Sequence, residues 1–185
     1  MKKVIAIVGM PGAGKSEAAN FFSEKGASIL RFGTIIEEGI KEESLERTPE
    51  TESYYREKIR KELGMAAVAI KMLPKIQNAL DSESQVILDG LYSWEEYVFL
   101  KDKISSLLLL CIYAKPSIRY ERLHDRKVRS FTKEEARARD INELEKTNKG
   151  GPIAFSDYLI KNETTREDLH QALDTFVSTL NHDSN

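Results

Sequence analysis

Hydrophobic positions along the chain fall into two kinds of pattern. Short continuous runs occupy residues 4–8, 28–32, 85–88, 107–113 and 158–161. A strand with one face in water alternates apolar and polar residues, whereas one covered on both faces does not. These runs therefore predict parallel strands sandwiched between helices. The segments between them carry helical spacing; the last, 165–180, sets Leu169, Leu173, Phe176 and Leu180 on one face and predicts a helix packed on the sheet. The alternation of β and α predicts a three-layer α/β domain.

Two stretches interrupt the alternation. Residues 34–78 are long, charged and mostly helical, with Thr48-Pro49-Glu50 marking a helix start at the proline. In a small kinase an acceptor-binding lobe sits here. Residues 117–149 read as two helices broken near Arg129-Ser130-Phe131, and Thr132-Lys133-Glu134-Glu135 forms a capping box at the second start. There is no internal repeat or interdomain linker, so the 185 residues form a single domain.

Composition narrows the class. A net charge of −2 with 31% charged residues describes a mixed surface with no global pull toward nucleic acid. The longest apolar stretch, 107–114, is far short of the roughly 18 residues of a membrane span. The chain enters its first strand directly after Met1-Lys2-Lys3, leaving no secretory segment. Cys111, the single cysteine, lies inside an apolar run and acts as a small hydrophobe. A cytoplasmic protein, monomer or homodimer, fits these features.

Chemistry enters at the first loop. Gly9, Met10, Pro11, Gly12, Ala13, Gly14, Lys15 and Ser16 spell the phosphate-binding loop G-x-x-x-x-G-K-S, between the run 4–8 and the helical Glu17-Ala18-Ala19-Asn20-Phe21-Phe22. The glycines let backbone N–H groups surround a phosphate chain, because a Cβ would block the turn or the ligand. Lys15 can reach β- and γ-phosphates, and the Ser16 hydroxyl can ligate Mg²⁺. The positive end of the following helix, where Glu17 stands, adds a favourable field for the anion. This is the signature of ATP binding.

Val86-Ile87-Leu88-Asp89-Gly90 is an apolar strand ending in an acid. Asp89 can hold Mg²⁺ or accept the proton of an acceptor hydroxyl. Arg119, Arg122, Arg126 and Arg129 recur at i, i+3, i+7 and i+10, one stripe of a helix that could clamp a transferring phosphoryl group. Arg137 and Arg139 extend the cluster. Without interleaved aromatics it does not read as a nucleic-acid surface. His124, His170 and His182 are scattered and offer no zinc-ligand spacing. Trp94, Tyr97 and Phe99 read as helix packing.

With these residues in place, the chain resembles the archaeal adenylate-kinase-related proteins, small P-loop kinases near dephospho-CoA kinases. The likeness is strongest at residues 8–18, at Arg139-Asp140 with Glu143-Leu144, and at Ser156-Asp157-Tyr158-Leu159-Ile160-Lys161-Asn162-Glu163. The resemblance implies a P-loop NTPase fold with a five-stranded parallel sheet of order 2-3-1-4-5, a helical acceptor lobe and an arginine-bearing lid. It also implies adenine near Arg122, Arg126 and the loop after Asn162. Catalytic work would fall to Lys15, Asp89, Arg122, Arg126 and Arg129. An acceptor would lie near Arg31, Gly33, Arg60, Gly90, Tyr92 and Arg139.

The acceptor side departs from that family. Gly33-Thr34-Ile35-Ile36-Glu37 and Leu91-Tyr92-Ser93 stand where the family places arginines. Glu37 would repel a bound monophosphate within a Debye length of about 8 Å. That favours an acceptor presenting a hydroxyl, or loss of phosphotransfer. The leading reading is a kinase acting with Mg-ATP on a small nucleotide, nucleoside or CoA-precursor-like acceptor. The alternatives are a slow ATPase and an ATP-binding regulatory module.

Overall fold

A computed structural model describes residues 2–82, 85–128 and 130–182. Five strands, β1 (Lys3–Val8), β2 (Ser28–Arg31), β3 (Gln85–Asp89), β4 (Leu107–Tyr113) and β5 (Tyr158–Lys161), form one sheet of order β2-β3-β1-β4-β5. Every pairing is parallel. The expected three-layer fold and strand order are thus observed.

β1 shows why the apolar runs are unbroken. Val4, Ala6 and Val8 enter the core on one face, while Ile5 and Ile7 enter the other. The second face is closed by α1 (Lys15–Glu24) and α9 (Arg166–His182), through Phe21, Phe22, Leu169, Leu173 and Phe176. The first is closed by α2 (Gly33–Glu42), α3 (Pro49–Leu63), α4 (Ala67–Ser82) and α5 (Trp94–Lys103). With both faces dry, a polar residue on either would be buried without a partner. Cys111 is buried in β4, as its run suggested.

Two helix starts follow their capping chemistry. Thr48 caps α3 ahead of Pro49, in a reciprocal box with Thr51. Thr132 caps α7 (Lys133–Thr147), with Glu135 returning the bond. α6 (Pro116–His124) precedes it, and the short α8 (Gly150–Ala154) leads into β5. No helix among the described residues is long and apolar enough to cross a membrane.

Candidate functional site

Three glycines with positive φ shape the turn after β1: Gly9 at +142°, Gly12 at +79° and Gly14 at +106°. A Cβ on these would strike Ile112, Arg119 and Asn162 respectively. The glycines are therefore demanded twice, by backbone conformation and by the close packing of the loop on its own protein. Ala13 donates from its amide to the Met10 carbonyl at 3.2 Å, closing the turn. Lys15 folds back over it, its Nζ 3.1 Å from the same carbonyl oxygen. Burial, then the nearby Lys149 cation, pushes the Lys15 amine down to about 7, against the opposing pull of Glu143 and Asp89. Ser16 is exposed in the first turn of α1. Glu17, next to it, is taken by α9: its carboxylate meets Arg166 and, at 2.7 Å, His170.

Behind the loop lies a buried brace. Arg119 is 4% exposed and donates to the Pro11 carbonyl at 3.0 Å, to that of Ala114 at 3.0 Å, and to both carboxylate oxygens of Asp140. Tyr120 donates to the same carboxylate. Asn162 donates to the Ala13 carbonyl at 2.8 Å, and Arg122 donates to the Asn162 carbonyl at 3.0 Å. Asn162, expected near adenine, spends its amide on the loop instead.

The arginine stripe does not exist as one helical face. α6 ends at His124, where Ser130 donates to the His124 carbonyl and Phe131 donates to that of Leu123, folding the chain back. Arg119 points inward, Arg122 lies half-buried, and Arg126 sits beyond the helix, exposed at a cleft rim. Arg129 lies outside the described residues.

Asp89 ends β3 with its side chain 18% exposed and the Arg31 Nε 3.9 Å away. Gly90, at φ +109°, leaves room for Tyr92, whose hydroxyl a Cβ there would meet at 2.9 Å and whose ring it would meet at 3.0 Å. Ser93 caps α5, and buried Glu96 accepts from the amides of Tyr92 at 2.7 Å and Ser93 at 3.1 Å. Burial pushes the Glu96 carboxyl up to about 7, against those two hydrogen bonds. Lys149, 3% exposed, lies 4.7 Å from the centre of the Tyr92 ring and pairs with Glu143. Arg139 holds the other side of Glu143 at 3.0 Å. Trp94 packs on Gly151 and Phe155, consistent with its expected packing role.

Two clefts result. The loop cleft, about 390 Å³, lies over Gly12, Lys15 and Ser16, with Asp89, Arg122 and Lys149 around it. The helix cleft, about 550 Å³, opens between α3 and α7. Tyr92 and Arg139 line both, so the two spaces adjoin. Arg60 lines the helix cleft as expected of an acceptor residue. Arg31 and Gly33 line neither; both are exposed, Arg31 at the end of β2 and Gly33 at the start of α2. Glu37 also stands off the clefts, paired with Arg47 at 2.9 Å, so its charge is spent on the surface. The repulsion expected from Glu37 therefore lacks a geometric basis.

Sequence reasoning missed Arg56, Lys146 and Lys149. The first two were findable, since residues 53, 56, 57 and 60 and residues 139, 142, 143 and 146 each recur at i, i+3, i+4 and i+7. Lys149 carried no such signal. Among the described residues, no group of three or more His, Cys, Asp or Glu could hold a metal by itself. A cation here would need phosphate oxygens beside Ser16 and Asp89, as Mg²⁺ commonly does.

A parallel 2-3-1-4-5 sheet with a G-x-x-x-x-G-K-S loop at the carboxyl end of its central strand defines a P-loop NTPase. Residues 5–143 match the AAA domain family. UPF0200 protein PH1008 of Pyrococcus horikoshii is 32% identical over 182 residues, covering 96% of this chain and 97% of its own. A UPF0200 protein of Sulfurisphaera tokodaii is 36% identical, with 90% of both chains covered. The chain belongs to the AAA-domain P-loop NTPases and to the UPF0200 proteins. TT1252 from Thermus thermophilus shares its fold at TM-score 0.67 and 18% identity, over 97% of this chain and 98% of that one. Shikimate kinase from Bacteroides thetaiotaomicron does so at 0.61 and 16%, over 95% and 98%.

Proposed function

We propose that the protein is a kinase that takes the γ-phosphoryl group of ATP in the loop cleft and passes it to a small molecule in the helix cleft. The observation that carries this reading is that the two clefts adjoin at Tyr92 and Arg139, with Asp89 on the loop side. A bare hydrolase needs no second cleft of about 550 Å³. Kinase structures among the fold neighbours support it, as does the resemblance to adenylate-kinase-related proteins.

In this reading Lys15 leaves the Met10 carbonyl for the β- and γ-phosphates, regaining its proton beside their charge. Lys149, held by Glu143, supplies a second cation at the same space. Arg122, Arg126 and Arg139 face the transferring group. Ser16 and Asp89 would hold Mg²⁺, which neutralises phosphate charge when bound. An acceptor oxygen attacks the γ-phosphorus, the bond to the β–γ bridging oxygen breaks, and ADP leaves with that electron pair. Asp89 takes the acceptor proton. Arg119 and Asn162 fix the loop from behind, touching no ligand.

ADP formation with Mg-ATP, measured alone and with nucleoside monophosphates, nucleosides, dephospho-CoA, shikimate or gluconate, tests the reading. An acceptor-dependent rise with a phosphorylated product supports it. ADP formed at one rate whatever is added, with inorganic phosphate as its partner product, makes the protein a hydrolase instead.

A further inference from the structure

The helix cleft has an unusual charge inventory. On the same lobe three cations are matched to carboxylates, Arg47 to Glu37, Lys58 to Glu43 and Lys75 to Glu38. Arg56, Arg60 and Lys146 line the concave cleft, and among the described residues none has a carboxylate within 4.0 Å. The Nε of Arg60 is buried without a hydrogen-bond partner. Burial pushes Arg60 below the ordinary guanidinium range, Glu96 pulls the other way, and Arg56 adds to the depression. Of the two lining carboxylates, Glu143 is engaged by Lys149 and Arg139, and Glu57 accepts from Ser53 at 3.3 Å and pulls on Arg60 without an ion pair, so four cations still outnumber two acids. Cations crowded in a concavity repel one another, and a buried unmade hydrogen bond is costly. An anion there relieves both.

The rest of the lining limits what carries that anion. Asn142 presents an amide, and the Ser53 and Thr147 hydroxyls, which donate to Glu57 and to the Glu143 carbonyl, keep acceptor lone pairs for a ligand hydroxyl. Among the described residues, Tyr92 is the one aromatic lining residue, with Lys149 near its ring, and no aliphatic side chain joins it. A nucleobase gains its binding by stacking on aromatic or apolar surface or on a guanidinium plane, and here Arg139 is already held by Glu143. The cleft offers hydroxyl partners and positive charge in its place.

The geometry points to a small polyhydroxylated anion, a sugar or polyol bearing a phosphate or carboxylate, as the ligand of the helix cleft, its charge held by Arg56, Arg60 and Lys146 and no base read. This rests on the kinase reading only in naming that ligand the acceptor; the anion site itself stands on the cleft.

Calorimetric titration of the full chain, saturated with Mg²⁺ and a non-hydrolysable ATP analogue, tests it with four probes. Ribose 5-phosphate lacks a base, D-gluconate replaces phosphate by carboxylate, AMP has both base and phosphate, and adenosine has no charge. Ribose 5-phosphate or D-gluconate should bind, which of them showing the anion's source. AMP should bind no tighter than ribose 5-phosphate, and adenosine should give no heat. Arg56→Ala and Lys146→Ala should each weaken the bound probe by about ten- to a hundred-fold. Unchanged thermal unfolding of those variants shows that charge, not folding, was lost.

Tight AMP with silent ribose 5-phosphate means that a base is read and overturns the proposal. Adenosine binding as well as AMP, or silence from both polyol anions, overturns it too. Failure of the ATP analogue to bind removes the kinase reading alone, because the same probes titrated into the free protein still decide the cleft.

Discussion

The loop cleft and the helix cleft adjoin, yet they are built on opposite principles. Around the loop almost every polar group is committed. Arg119 ties Pro11 to Asp140, Asn162 ties Ala13 to the end of β5, and Lys15 rests on Met10. Across the helix cleft Arg56, Arg60 and Lys146 are uncommitted. The first region is rigid because its ligand chemistry is delivered by backbone, which works only if the turn is held. The second leaves long side chains unpaired, which under the proposed reading lets their tips set specificity. A site can thus be preorganised on one wall and adaptable on the other.

The harshest test of that contrast is to remove one strut. Asp140→Ala leaves the Arg119 guanidinium buried without its bidentate partner. It should destabilise the protein by about 3–5 kcal/mol, read from the urea midpoint at unchanged slope. A loss within 0.5 kcal/mol would mean that the brace bears no load.

Lys15→Ala should come next. It preserves the fold and lowers affinity for an ATP analogue by about a hundred-fold, the worth of a charge-assisted phosphate contact. Unaltered affinity by calorimetry removes the phosphate role of the loop.

A gentler probe is pH. With Lys15 near 7 in the free protein, the amine is largely neutral above that value, whereas bound phosphates favour its protonated form. Binding at pH 8 should therefore take up close to one proton. Affinity should fall about tenfold for each pH unit above 7, while little uptake occurs at pH 6. Titration in buffers of different ionisation heat measures this, and Lys15→Ala should abolish the uptake. In the unliganded protein the sign is opposite. The unfolded chain binds the extra proton between about 7 and 10.5, so this lysine's stability contribution is complete above 10.5 and is lost as pH falls to 7.

The smallest effect belongs to the free side of the comparison. Arg56→Ala removes a half-buried cation that has no ion-pair partner among the described residues, and unfolding free energy should change by less than about 0.5 kcal/mol. A larger loss would show that the helix cleft is braced after all.

The same contrast governs what was legible in the sequence. The strands and the loop were readable because their information is contiguous: apolar runs for strands dry on both faces, eight consecutive residues for the turn; the strand order came only from the resemblance to a known family. Helix starts at Thr48 and Thr132 followed local capping chemistry. The arginine stripe misled because periodicity assumes that a helix continues, and α6 stops at His124 when Phe131 returns to the Leu123 carbonyl. Glu37 misled for a different reason. Its pairing with Arg47 depends on where the turn between α2 and α3 places that guanidinium, which no spacing rule encodes. The helix cleft joins side chains more than 70 positions apart, from Ser53 to Thr147, so only its two separate faces were visible.

α7 carries both kinds of wall at once. Asp140 turns inward to Arg119, while Arg139, Asn142 and Lys146 turn toward the open cleft. The two duties fall on different sides of one cylinder, so they are separable in evolution. A lineage can exchange the outward stripe for other polar groups without loosening the strut that holds the glycine turn. One nucleotide engine could in this way be refitted to many molecules, its inheritance written inward and its trade written outward.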